Sequence, residues 1–115
     1  MIKVNWDVEE LVALIDIYRR YEDNQSDQID AELLTLSKVL TKRADKLGIE
    51  HDDKFRNLHG MKMMFQNVVY IATDGQQGMS ATSSSMRKVY GMLSKSPDVF
   101  ELILQEFTKR YGVEE

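Results

Sequence analysis

Two polar stretches in the middle of the chain hold the side chains best suited to recognition chemistry. Residues 55–62 read FRNLHGMK, and residues 74–78 read DGQQG. Guanidinium, ammonium, imidazole and amide groups hydrogen-bond to phosphate oxygens and base edges, while glycines let a backbone approach a ligand closely. The two stretches therefore favour a binding function over catalysis.

No set of residues has the spacing of a catalytic or metal-binding site. The chain has two histidines and no cysteine, so disulfides, thiolate zinc sites and cysteine nucleophiles are excluded. His51 and His59 form no triad pattern with the serines at positions 83–85. With Asp52 and Asp53 they also lack the helical spacing of metal ligands. We therefore predict that the protein is not an enzyme and binds no metal or cofactor.

Charge is distributed unevenly along the chain. The formal net charge of -4 by itself disfavours nucleic acid, because binding to phosphates depends on lysine and arginine releasing counterions. By segment, residues 1–35 carry about −6, residues 36–95 about +5 and residues 96–115 about −3. The basic middle segment forms either a binding face or the ordinary solvated faces of its helices. The acidic ends offer a surface to a protein partner.

Hydrophobic periodicity and capping residues predict five helices. Their ranges are 8–22, 27–47, 57–73, 83–95 and 97–111. Asn5 or Asp7 is placed to cap the first helix, and Gly48 is placed to end the second. Ser96 is placed to cap the fifth helix, with Pro97 at its first position.

The apolar positions predict a single core. A chain of 115 residues with 43% hydrophobic content can bury one core but not two, so we expect one all-α domain over residues 1–115. Phe65 and Leu36 are expected inside it. The second helix carries its apolar period on Ile29, Leu33, Leu34, Leu36, Val39, Leu40, Ala44 and Leu47.

One side of the second predicted helix is strongly basic. Lys38, Lys42 and Lys46 recur at intervals of four residues, which places them on one helical face. Arg43 lies beside them, so four cations are expected to share this side. They either complement the negative end of the helix dipole or bind phosphate.

The entry to the third predicted helix has two interpretations. Arg56 and Asn57 could contact DNA, or Asn57 could cap the helix while Arg56 pairs with a carboxylate such as Asp52. Gly60 lowers helix stability relative to alanine, which indicates close approach of a packed neighbour or of a phosphate. Asn67 lies ten residues beyond Asn57, so the two are not expected in one compact site.

Several short pieces of the chain together resemble a known module. They are Trp6 ahead of Glu9-Glu10-Leu11, residues 55–57, Gly60 with the methionine after it, Asn67, Gly78 and residues 89–100. The combination resembles the N-terminal helical module that precedes HNH nuclease domains in some restriction endonucleases, including modification-dependent ones. The resemblance implies recognition of DNA, with Arg56, Asn57, Gly60 and Gly78 at matching positions. Nuclease activity is not implied, because the HNH histidines and metal ligands are absent from these residues.

With this resemblance, our leading hypothesis is a DNA-binding or recognition module of a bacterial or phage restriction-defence system. The expected DNA-contacting residues are Arg56, Asn57, His59, Gly60, Lys62, Gly78, Arg87, Lys88, Lys42 and Lys46. The alternative is a protein-interaction module, such as a phage-type inhibitor of a nuclease or an oligomerising adaptor. Such a module would bind through the acidic faces of the first and fifth helices.

The N-terminal residues have no signal-peptide pattern. No apolar run reaches 18 residues, the length that indicates a membrane-spanning helix. We therefore expect a cytoplasmic protein that makes no membrane contact.

Overall fold

The computed structural model describes residues 4–21, 27–80 and 83–112, and these residues form five α-helices with no strand among them. The helices are α1 (Val8–Arg20), α2 (Gln28–Leu47), α3 (Leu58–Ala72), α4 (Ser84–Lys95) and α5 (Pro97–Tyr111). This architecture confirms the all-α fold. Every described helix end lies within two residues of its prediction. The predicted end of the first helix at residue 22 lies outside the described residues.

Local hydrogen bonds explain where the helices begin and end. Asp7 caps α1 in a capping box, in which Asp7 Oδ1 accepts the Glu10 amide and Glu10 Oε1 accepts the Asp7 amide, both at 3.0 Å. Gly48 ends α2 in the left-handed conformation with φ 73°, as predicted. Pro97 is the first residue of α5, but the Ser96 side chain makes no capping bond, so that part of the prediction was wrong.

Helix α1 is the centre of the bundle. It packs against each of the other four helices, and these four also pack in chain order, α2 on α3, α3 on α4 and α4 on α5. The helices α2 and α5 are therefore the two ends of the layer around α1. A groove lies between them.

The core is built from one face of each outer helix and most of α1. Its largest fully buried side chains are Leu11, Val12, Leu14, Ile15, Leu33, Leu40, Met61, Val68, Val69, Met86 and Phe100. Phe65 and Leu36 are also buried, which confirms their predicted positions. Leu34 and Leu47 are exposed, contrary to prediction, because successive residues of a helix point about 100° apart and these two lie off the stripe that faces α1.

Adjacent leucines on α2 provide a matched test of this packing. Leu33 is 1% exposed and Leu34 is 43% exposed. Leu33→Ala should lower the free energy of unfolding by about 2–5 kcal/mol, because it leaves a cavity in the core. Leu34→Ala should change it by less than about 1 kcal/mol. Chemical denaturation of both variants measures the difference, and equal losses would show that the buried face of α2 is assigned incorrectly.

Candidate nucleic-acid interface

Arg56, the central residue of the predicted DNA-contacting motif, is turned into the protein. Its Nε and Nη2 atoms donate to Glu10 Oε2 and Oε1, each at 2.9 Å. The side chains of Arg56 and Glu10 are 7% and 3% exposed. A buried bidentate ion pair therefore occupies the guanidinium of Arg56, which the sequence analysis placed at DNA, and the pairing with a carboxylate predicted as the alternative is present. Its partner is Glu10 and not a nearby carboxylate such as Asp52.

The same guanidinium holds the segment that precedes α1. Arg56 Nη1 and Nη2 donate to the main-chain oxygens of Val4 and Asn5, both at 3.2 Å. The guanidinium carbon also lies 4.6 Å from the ring centroid of Trp6 and 4.4 Å from that of Phe55. Arg56 thereby joins the start of α1 to the connection between α2 and α3. Trp6 is half-buried beside it.

Arg43 on α2 places a second buried guanidinium at the start of α1, where its carboxylate partners are partly exposed. Its Nη2 atom donates to Asp7 Oδ2 at 2.8 Å and to Glu9 Oε1 at 2.9 Å, and its Nη1 atom lies 4.0 Å from Glu10 Oε2. Burial alone would lower the pKa of Arg43, but hydrogen bonds and charges from Asp7 and Glu9 raise it above its ordinary value. Arg43 is therefore not on the exposed side of α2, contrary to prediction. We call Asp7, Glu9, Glu10, Arg43 and Arg56 the Glu10 cluster.

The lysines of α2 remain on the surface and border the groove between α2 and α5. This α2–α5 groove has a volume of about 590 Å³. It is lined by Thr35, Lys38, Val39, Lys42, Lys46, Arg110, Tyr111 and Gly112. Lys38 and Lys42 are exposed and form no ion pair within the described part of the chain. Lys46 lies with its Nζ 5.7 Å from the Tyr111 ring centroid.

Arg110 adds a fourth cation from the opposite wall. Its Nη1 atom lies 3.7 Å from Glu9 Oε2 and its Nη2 atom 3.8 Å from Glu106 Oε1, while most of the side chain is exposed. These long, exposed pairs hold the guanidinium only weakly. The groove therefore gathers four cations, of which the sequence prediction included Lys42 and Lys46.

A second cavity, about 180 Å³ in volume, continues the α2–α5 groove toward its apolar floor. It shares Thr35, Val39 and Gly112 with the basic part, and Ala13, Ile17 and Phe107 lie beneath. Asp16, Arg20 and Glu32 stand around it. One end of the groove is thus cationic, and the other is apolar with mixed charge.

A separate pocket of about 300 Å³ lies at the start of α3. We call it the Trp6 pocket, and it is lined by Trp6, Lys54, Arg56, Asn57, Gly60, Met63, Met64 and Asn67. Asn57 caps α3, since its Oδ1 accepts the Gly60 amide at 2.9 Å. Asn67 Nδ2 donates to the Met79 main-chain oxygen at 2.9 Å. The two asparagines therefore border one elongated pocket, which the sequence analysis did not expect.

Gly78 has a packing role. Its φ of 85° is left-handed, and a Cβ there would overlap the main-chain oxygen of Gln66. The absence of a side chain lets the loop after α3 lie against that helix, with the Met79 amide donating to Gln66 O at 3.1 Å. These contacts account for the glycine without a nucleic acid.

The other predicted contacts are exposed and lie outside the α2–α5 groove and the Trp6 pocket. Lys62 Nζ forms a 3.4 Å ion pair with Asp30. His59 is exposed in the first turn of α3. Arg87 and Lys88 are exposed on α4 and have no ion pair among the described residues. They form a second, smaller basic surface.

Several acidic side chains of the faces proposed for the alternative function form ion pairs within the protein. Glu9 and Glu10 belong to the Glu10 cluster, and Asp16 pairs with Arg19 at 2.8 Å. On α5, a hydrogen bond from Arg19 lowers the pKa of Glu101. The acidic surface is therefore smaller than the residue count suggests.

Comparison with protein-family models, curated proteins and solved structures finds no match to this chain. Within residues 4–21, 27–80 and 83–112, no three histidine, aspartate or glutamate side chains are grouped to hold a metal ion. None of the described helices is long and apolar enough to cross a bilayer.

Sequence reasoning missed several residues that line the two cavities. Arg110 and Tyr111 line the groove with the α2 lysines, although they lie more than 60 positions away in the sequence. Trp6 lines its pocket with Asn57 and Met63, which lie more than 50 positions away. No local pattern marks such pairs. The four-residue spacing of the α2 lysines was the one sequence pattern that indicated a wall of the groove.

The buried Glu10–Arg56 pair can be tested against an exposed pair. Glu10→Ala should lower the free energy of unfolding by about 3–5 kcal/mol, because it leaves the Arg56 guanidinium buried without its carboxylate. The exposed Lys62–Asp30 pair is the control, and Lys62→Ala should cost less than about 1 kcal/mol. Denaturant unfolding measures both. Similar small losses would contradict a structural role for the Glu10 cluster.

His51 gives the α2–α3 connection a pH-dependent contact. Its Nδ1 lies 2.9 Å from the Asp52 main-chain oxygen and its Nε2 lies 2.7 Å from Asp45 Oδ1. Since both partners are acceptors, the doubly protonated ring is favoured. The hydrogen bond to the Asp52 carbonyl, followed by that to Asp45, raises the pKa of His51 above its ordinary value.

A raised histidine pKa stabilises the folded protein at low pH. The stabilisation by His51 should be complete below its unfolded pKa of about 6.5 and should disappear as pH rises through the folded pKa. The difference in unfolding free energy between wild type and His51→Gln should therefore shrink from mildly acidic to mildly alkaline pH. His59→Gln is the control, since that side chain is exposed. A difference that stays constant with pH would contradict the assignment.

Proposed function

We propose that this chain is a non-catalytic DNA-binding module that contacts the duplex backbone through the α2–α5 groove. The observation that carries the proposal is the row of Lys38, Lys42 and Lys46 along one wall, with Arg110 on the other. Lysines supply flexible positive charges to phosphates, and each contact releases counterions.

The spacing of the lysines suits an extended anion. Residues four apart on a helix are separated by about 6 Å along its axis, so the three ammonium groups span roughly 12 Å. One DNA strand presents a phosphate about every 3.4 Å along the duplex axis, so this span covers several phosphates. Contacts of this kind would position DNA without reading its sequence.

Part of the negative charge is held in internal ion pairs. The Glu10 cluster pairs three carboxylates with two buried guanidinium groups, and further pairs neutralise Asp16 and Glu101. Lys38 and Lys42 have no such partners among the described residues. These two lysines are therefore available to pair with phosphates at the groove.

A restriction-defence setting, bacterial or phage, is the biological context we propose. It is supported by the resemblance of the Trp6, 55–57 and Gly60 pieces to the module that precedes HNH nuclease domains. In that setting the protein would act in the cytoplasm, where the DNA is.

The second candidate is a protein-interaction module, such as a nuclease inhibitor or an oligomerising adaptor. It is favoured by Val99 and Leu102, which are exposed on α5 near Asp98. Exposed apolar side chains beside an acid fit a protein partner better than DNA.

Neutralising two groove lysines tests the leading candidate. The double variant Lys42→Gln/Lys46→Gln should lose two phosphate contacts. In a plot of the logarithm of the duplex association constant against the logarithm of the salt concentration, the slope should therefore flatten by up to roughly two units. Binding should weaken about equally for unrelated sequences. Fluorescence anisotropy with labelled duplexes at several salt concentrations measures both effects.

Two further variants identify the contacting surface. The control variant Lys95→Gln/Lys109→Gln removes the same amount of positive charge from residues that do not line the groove. It should leave the salt dependence of duplex binding unchanged. Arg87→Gln/Lys88→Gln tests the smaller basic surface on α4. Absence of duplex binding by the wild type at low salt would refute the DNA proposal, while a flattened slope only in the α4 variant would move the site away from the groove.

A further inference from the structure

We infer that the Trp6 pocket binds a single unstacked nucleobase. The inference deepens the proposed function and rests on it for the source of the base, a nucleotide displaced from a DNA strand. A free nucleotide presents the same chemistry.

The pocket has the wall composition that a planar aromatic ring requires. Trp6 supplies an indole, Met63 and Met64 supply polarizable thioethers, and the volume of about 300 Å³ lies within the range of small-ligand sites. Arg56 lies against the Trp6 ring at 4.6 Å and is itself held by Glu10, so the indole is fixed before any ligand arrives. Bases bind proteins by stacking on aromatic rings and apolar side chains.

Polar groups at the mouth suit a nucleotide better than an apolar side chain. The capping bond of Asn57 uses only its Oδ1, which leaves the Nδ2 group able to donate to a base edge. Gly60 contributes no side chain, and a Cβ there would come within 3.2 Å of Asn57 Oδ1. Lys54 is exposed at the rim, where it can pair with a phosphate attached to the bound base.

The pocket is connected to the groove through the Glu10 cluster. Arg56 contacts the Trp6 ring, Arg43 lies 5.7 Å from the Tyr111 ring centroid, and both guanidinium groups approach Glu10. The cluster thus ties the Trp6 pocket and the α2–α5 groove to the same end of α1. A strand held by the lysines could place one displaced base in the pocket.

Trp6 is the only tryptophan in the chain, so its fluorescence reports on the pocket directly. Titration with nucleosides, which lack phosphate, should give a saturable change in Trp6 emission. Met63→Ala should weaken nucleoside binding by about 2- to 10-fold, the range expected for loss of one sulfur–aromatic contact. Met79→Ala is the matched control, because Met63 and Met79 are 43% and 42% exposed and only Met63 lines the pocket. A non-saturable change, or equal affinities for wild type and Met63→Ala, would overturn the inference.

Two comparisons distinguish a base displaced from a DNA strand from a free nucleotide. They also distinguish the Trp6-pocket proposal from the groove proposal. Lys54→Ala should weaken binding of a nucleoside 5′-monophosphate but not of the nucleoside. Equal loss for both ligands, or no loss for either, would overturn the placement of the phosphate.

A duplex with one unpaired base should bind more tightly than a fully paired duplex if the base comes from a strand. The two duplexes should bind equally if only free nucleotides enter the pocket. Duplex binding without nucleoside binding would refute the role of the Trp6 pocket and leave the groove proposal standing. Nucleoside binding without duplex binding would refute the groove proposal and leave the pocket standing.

Discussion

The carboxylate of Glu10 is the constraint on which this structure depends. A buried carboxylate is strongly unfavourable unless donors surround it, and Glu10 receives the Arg56 guanidinium in a bidentate pair and the Asp7 amide at the start of α1. To reach Glu10, Arg56 adopts a φ of 49°, a left-handed conformation that is unusual for a residue other than glycine. Together with the bonds from Arg56 to the main-chain oxygens of Val4 and Asn5 and its approach to the Trp6 ring, this ion pair holds the α2–α3 connection against the start of α1.

The same cluster decides which cations can meet a partner. Arginines occupy the buried pairs, in agreement with their planar, multidentate guanidinium groups, and lysines remain at the surface as mobile point charges. Charge counts along the sequence cannot make this distinction, since a buried Arg43 and an exposed Lys42 contribute equally. The acidic first helix and the basic middle segment carry opposite charge, and Arg43 and Arg56 pair with Asp7, Glu9 and Glu10 across the two.

The fold followed from sequence because its determinants are local. The capping box at Asp7, the left-handed Gly48 and Pro97 at the start of α5 each act within a few residues. The candidate site was predictable only in part. Periodicity reports which helical face is apolar, but it cannot show that Arg56 pairs with a carboxylate 46 positions earlier or that Arg110 closes a groove begun by Lys38. Composition alone also could not separate Leu33 from Leu34, because both are leucines in the same apolar run, whereas only Leu33 faces the core.

Mapping of amide chemical shifts tests most directly whether the α2–α5 groove and the Trp6 pocket form one DNA-binding surface. Isotope-labelled protein would be titrated with a short duplex at low salt. The account predicts shift changes concentrated on α2 between Lys38 and Lys46, at residues 110–112 and around the Trp6 pocket, with α4 nearly unaffected. Changes concentrated on α4 or on the exposed face of α5 around Leu102, with the lysines of α2 unperturbed, would contradict it.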